Sequence, residues 1–191
     1  MAQVEDLKCP GCGGGVGVGQ KECNYCHRPI YISMFNSVFN MKMPELRDNL
    51  TENPDNEGAN FQIAMGLLIN DRLYDNALPY FEKAIASRDN IEALFYAAVC
   101  QLKGLIAFRA PRANIDKAVG YLNAALRREP MGIYHYFLAY IKYDYFERKS
   151  FIISPNWEEH KNEAMIAGVS SADIAQLAET LQVEIPECLN I

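Results

Sequence analysis

The residues best equipped for chemistry are cysteines, and four of the six fall in one pattern: Cys9-Pro10-Gly11-Cys12, ten residues, then Cys23-Asn24-Tyr25-Cys26. A CxxC turn presents two thiolates from one tight loop. Two such turns facing each other supply the tetrahedral four-sulfur shell that structural zinc prefers. Cys9, Cys12, Cys23 and Cys26 are therefore the expected ligands of one zinc ion, with no coordination position left open for catalysis. Gly13 follows the second thiol of the first turn, where a positive φ suits glycine. His27 stands at the equivalent place in the second turn, and histidine tolerates the left-handed region better than most residues.

Other chemistries for the same thiols fit less well. Cys23-Asn24-Tyr25-Cys26-His27 has the form of a c-type haem attachment sequence. The opening Met-Ala-Gln-Val-Glu-Asp, however, has neither the basic nor the apolar stretch of an export signal, and haem would leave the first CxxC unexplained. Without export the thiols stay reduced, which favours metal over cystine. A thioredoxin-like redox pair needs one CxxC opening a helix beside a βαβ unit, not two in a glycine-rich hairpin. Iron in a rubredoxin-like site uses the same ligands, so the thiols alone leave zinc and iron both open.

The elements that must hold these thiols are short. Val16 and Val18 alternate with glycine, and Pro29-Ile30-Tyr31-Ile32 follows the second turn, a pattern suited to small β-hairpins. A segment this small, residues 1–33, buries too little apolar surface to fold by itself, so the metal must supply its stability. Gly13-Gly14-Gly15-Val16-Gly17-Val18-Gly19 is no nucleotide loop, because it lacks the preceding strand and following helix that such a loop requires.

Charge bounds the partners. The chain has 191 residues and a net charge of −6. Within 1–33, Lys8, Lys21 and Arg28 balance Glu5, Asp6 and Glu22, leaving no basic footprint for phosphates. No apolar run has the length of a membrane span, so the expectation is a soluble, cytoplasmic protein with no membrane span and no nucleic-acid partner.

Residues 34–55 read as a bridging helix pair, with Pro44 restarting the second helix and Asn53-Pro54-Asp55-Asn56 closing it. From 56 to 191 the periodicity is helical throughout. Phe61 is followed by Tyr74-Asp75-Asn76-Ala77, Phe81 and Ala84, and Phe95 and Ala98 by Ile115-Asp116-Lys117-Ala118, Leu122 and Ala125. Phe61 to Ala77 spans 16 residues and Phe95 to Ala118 spans 23, so the second unit carries about seven extra residues around Gly104 to Arg112. A third unit begins at Met131 with Tyr136 and Ala139, and its partner helix falls near Trp157 to Ala167. Gly168 ends that helix, Ser170 or Ser171 caps another, and Ile174, Leu177 and Leu181 give the last helix one apolar face.

These large and small residues at fixed spacing resemble a tetratricopeptide-repeat protein of about three degenerate units, and residues 7–32 resemble a zinc ribbon. Another helical-pair solenoid, such as a Sel1-like one, fits the same pattern. The implied fold is mostly α: a small N-terminal zinc ribbon of β-hairpins, then a short α-solenoid closed by a C-terminal capping helix. In tetratricopeptide solenoids the groove is lined by first-helix positions just past the large packing residue and four further on. The resemblance thus names Gln62, Gly66, Tyr96, Cys100, Phe137 and Ile141 as candidate partner-binding residues, an apolar wall suited to hydrophobic or aromatic peptide anchors.

Eight aromatic residues lie between Tyr134 and Phe151; either all are core, or one face lines the groove. His135 and His160 have no carboxylate or cysteine at ligand spacing, and Cys100 reads as a small buried side chain. Arg109 and Arg112 either face solvent or meet an acidic partner, while Arg127-Arg128 complements a helix C-terminus. The sequence carries no Ser/His/Asp grouping, phosphate-cradling loop or HExxH motif. The function expected is therefore a non-enzymatic protein–protein interaction adaptor or scaffold with a structural zinc ribbon. The alternatives are a nucleic-acid-associated ribbon protein and a thiol-dependent redox enzyme.

Overall fold

Alanine at the points where helices cross lets their backbones approach, and large rings fill the spaces between. Ala77, Phe81 and Ala84 on one helix, and Ile115, Ala118, Leu122 and Ala125 on another, are all fully buried. This alternation, not intrinsic propensity, makes the chain pack as paired helices. A computed structural model describes residues 12, 14, 23–27, 35–69, 72–85 and 90–191, with the backbone alone for 35–42.

Among the described residues there are eight α-helices and no strand: α1 (Phe35–Glu52), α2 (Glu57–Ile69), α3 (Tyr74–Ala84), α4 (Ile91–Leu102), α5 (Arg112–Arg128), α6 (Gly132–Ile141), α7 (Trp157–Ile166) and α8 (Ser171–Leu181). The segments expected to form ribbon hairpins lie outside the described residues. Helices α2 and α3, α4 and α5, and α6 and α7 pack as pairs, and each pair rests on the next through α3 against α4 and α5 against α6. None of the described helices is long and apolar enough to cross a membrane.

The bridging segment departs from expectation. One helix, α1, runs through Pro44. Proline removes a single backbone donor and its fixed φ is already helical, so a helix continues past it where the lost bond is the main cost.

The helix ends follow local chemistry. Asn156 and Ser170 each form a reciprocal capping box, with Glu159 and Asp173 respectively. Gly168, at φ +77°, ends α7 as anticipated. Arg127 and Arg128 occupy the last turn of α5. Gly132 lets α6 meet the end of α7, since a Cβ there would lie 2.8 Å from the Val169 amide nitrogen and 2.9 Å from the Ala164 carbonyl oxygen. Beyond Ile141, α6 widens into a π-turn over Lys142–Phe146 and then a short 3-10 turn over Glu147–Lys149.

Helix α8 is placed differently from a terminal cap. Its principal contacts are with α4 and α6, the first helices of the second and third pairs. It lies across the stack instead of closing its end, and Met165 and Ile166 at the end of α7 remain 44% and 80% exposed.

Candidate functional sites

The second CxxC turn is built by its own backbone. The His27 amide donates to the Cys23 carbonyl at 2.9 Å, and the Tyr25 amide donates to Cys23 Sγ at 3.4 Å. His27 takes φ 53°, the left-handed conformation its position calls for. The first turn comes against it through Gly14, where a Cβ would meet the Tyr25 ring at 2.6 Å.

Cys12, Cys23 and Cys26 converge, their sulfurs all within 4.8 Å of one another. Cys12 Sγ and Cys23 Sγ are 3.6 Å apart, close to the edge of about 3.8 Å that a tetrahedron with metal–sulfur bonds of about 2.3 Å requires. The amides of Cys26 and Tyr25, aimed at the Cys23 sulfur, lower its thiol to about 6 and favour the thiolate. Three cysteines on two turns could therefore hold a metal ion. Cys9, the fourth thiol of the pattern, and Gly13 lie outside the described residues.

The candidate groove residues do not share one open surface. Tyr96 and Cys100 are 1% exposed, Phe137 and Ile141 are fully buried, and Gly66 is buried; only Gln62 is exposed. This corrects the expectation of an apolar wall open to solvent, and there are two causes. Phe137 packs edge-on against Phe95, and Tyr96 stacks on Phe81, so these rings join the pairs together. The face that α4 and α6 offer is covered in part by α8. Between α8 and the α4–α6 face, where Tyr96 and Phe95 meet Leu177 and Thr180, the remaining gap is about 20 Å³, about one water molecule.

Most of the aromatic run is core for the same reason, with Tyr134, Tyr136, Tyr140, Tyr145 and Phe146 buried and Phe151 exposed. Burial, with Asp75 a lesser influence, pushes the Cys100 thiol up, which leaves it an inert packing group.

The long loop after α4 forms a structure that spacing did not reveal. Its Phe108 amide donates to Asp144 Oδ2 at 2.7 Å, and Arg148 also binds Asp144. Phe108 lies under Arg148 and Lys149; Lys149 also covers Tyr145, and Arg112 sits 4.9 Å from the centre of Phe146. Arg112 is further paired with Asp116 at 2.8 Å. These alternating cations and rings fasten the insertion to the third pair. Arg112, offered by the sequence as a contact for an acidic partner, is thus engaged within the chain. The role of Asp144, Arg148 and Lys149 in holding the loop carried no signal in the sequence, because Phe108, which all three contact, lies more than 30 residues away.

Comparison with protein-family models, with curated proteins and with solved structures finds no match to this chain.

Proposed function

We propose that this protein is a non-enzymatic adaptor, in which a structural zinc ribbon is joined to a short tetratricopeptide-like solenoid that engages a protein segment. The observation that carries this reading is the stacking of three helical pairs in chain order, the arrangement of a short helical solenoid. The zinc half rests on the convergence of Cys12, Cys23 and Cys26, with Cys9 supplying the fourth thiolate. A saturated four-sulfur shell stabilises a fold and offers no site for substrate, which also weighs against a thiol-dependent enzyme.

A nucleic-acid role would draw on Arg112, Arg148 and Lys149, but each stacks on rings and the two arginines are paired with carboxylates. With a net charge of −6, the adaptor is the better reading. Metal analysis of the purified protein should give one zinc per chain, and Cys12→Ser should lower that content sharply; iron, or unchanged metal in the variant, sinks the zinc assignment. A gel-shift titration should show no duplex binding tighter than about micromolar at physiological salt. Tighter, salt-sensitive binding would move the nucleic-acid reading ahead.

A further inference from the structure

The segment that joins α6 to α7 holds a charge that the fold does not compensate. Lys142, the first residue of the π-turn, is 8% exposed and lines a cavity of about 420 Å³ between that turn and the start of α7. Its Nζ donates to the Pro155 carbonyl. An ammonium has three donors, and no carboxylate among the described residues lies within ion-pair distance of this one. The carboxylate whose charge reaches it, Glu159, is bound to the Asn156 amide at 2.5 Å. Burial pulls Lys142 below the ordinary lysine value, against that raising influence of Glu159, as expected where a cation leaves water without an anion beside it.

The same cavity carries a second charge. Glu147 is exposed, lines the cavity and makes no ion pair among the described residues. Lys142 and Glu147 therefore border one space without meeting each other. Phe151, Ile153 and Trp157 supply its apolar wall. Two of these rings are held in place from behind, Trp157 edge-on to Tyr143 at 5.3 Å between ring centres and Phe151 stacked on Tyr145 at 6.4 Å. The volume lies within the range of about 300–1,000 Å³ that small-molecule sites occupy.

A simple anion would satisfy Lys142 and be repelled by Glu147, and a simple cation would do the reverse. A molecule with both charges and an apolar group matches every charged residue of the wall. We infer that this cavity is a binding site for a free apolar amino acid, its carboxylate on Lys142, its ammonium on Glu147 and its side chain against Phe151, Ile153 and Trp157. The site rests on neither the zinc nor the adaptor reading, and its failure would leave both standing.

Trp157 is the only tryptophan of the chain, so its fluorescence reports on this wall alone. The probe is L-leucine, titrated against the full chain by Trp157 emission and by calorimetry. Two analogues accompany it: 4-methylpentanoate, which lacks the ammonium, and leucinamide, which lacks the carboxylate. Leucine should half-saturate below about 1 mM, and each analogue should bind at least about tenfold more weakly, the loss expected when one charged hydrogen bond goes unmade.

Glu147→Gln changes an exposed residue and leaves the packing alone. It should weaken leucine at least about fivefold while 4-methylpentanoate binds no worse than to the unaltered chain. Lys142→Met should abolish leucine binding; because it also removes the bond to the Pro155 carbonyl, the analogues and Glu147→Gln carry the decision. Failure of leucine to half-saturate by about 1 mM in both measurements overturns the proposal. So does equal binding of leucine and its analogues, which would leave only an apolar cavity, and so does an unchanged leucine affinity in Glu147→Gln.

Discussion

His135 and His160 meet across the α6–α7 pair with their Nδ1 atoms 3.2 Å apart, so one ring donates and the other must accept. His160 is 6% exposed. Burial, then the nearby charges of Lys142 and His135, lower it from 6.5 to about 4, and burial lowers His135 too, against a raising influence from Glu163. In the unfolded chain both imidazoles protonate near their ordinary value. The unfolded state therefore binds more protons between pH 6.5 and about 4, and stability falls as pH falls through that window. His160 alone should cost about 2–3 kcal/mol by pH 4. Denaturant melts at pH 7.5, 5.5 and 4.5 test this. His160→Gln should flatten the profile, and an identical slope in both proteins would remove the pair from the account.

At the scale of elements, the insertion between α4 and α5 is held chiefly through Asp144, which is 3% exposed and accepts from both Phe108 and Arg148. Asp144→Ala leaves the Phe108 amide and the guanidinium without their acceptor and should cost about 2–3 kcal/mol. It should also speed hydrogen exchange across 104–111, with partial recovery in Asp144→Asn. Unchanged exchange in that loop would show that the cation–ring stack alone holds it.

The helical pairs were legible because their signal is local. Alanine and aromatic residues at helical spacing mark buried stripes, and Ala77, Phe81, Ala118 and Leu122 lie where those stripes require. The second CxxC turn was equally legible, since its two thiols and His27 sit within five residues. The position of α8 was not legible. Ile174, Leu177 and Leu181 state that a face is buried, but nothing in their spacing says which neighbour buries it. The groove assignment failed for that reason: Tyr96 borders a surface already taken by α8, and Phe137 and Ile141 turn into the core.

Across the whole molecule, the thiol cluster and the helical core are separate stores of stability. The core extends from the second helix onward, and among the described residues of the two CxxC turns only Cys23 is buried. On the proposed zinc reading, chelation should make the thiols of Cys9, Cys12, Cys23 and Cys26 reactive while the helical circular dichroism and the main melting transition persist. Collapse of that transition on chelation would show that the metal also supports the helices.

Folding order follows from where α8 lies. Each pair forms between neighbours in the chain, which keeps loop-closure entropy small and assembly fast. Helix α8 closes far longer loops, as the Arg72–Thr180 and Tyr136–Leu189 bonds span 108 and 53 residues. During synthesis the first two pairs can assemble before α8 emerges, whereas α7 ends only four residues before α8 and emerges just ahead of it. Until α8 docks, the part of α4 and α6 that it covers stays open to water.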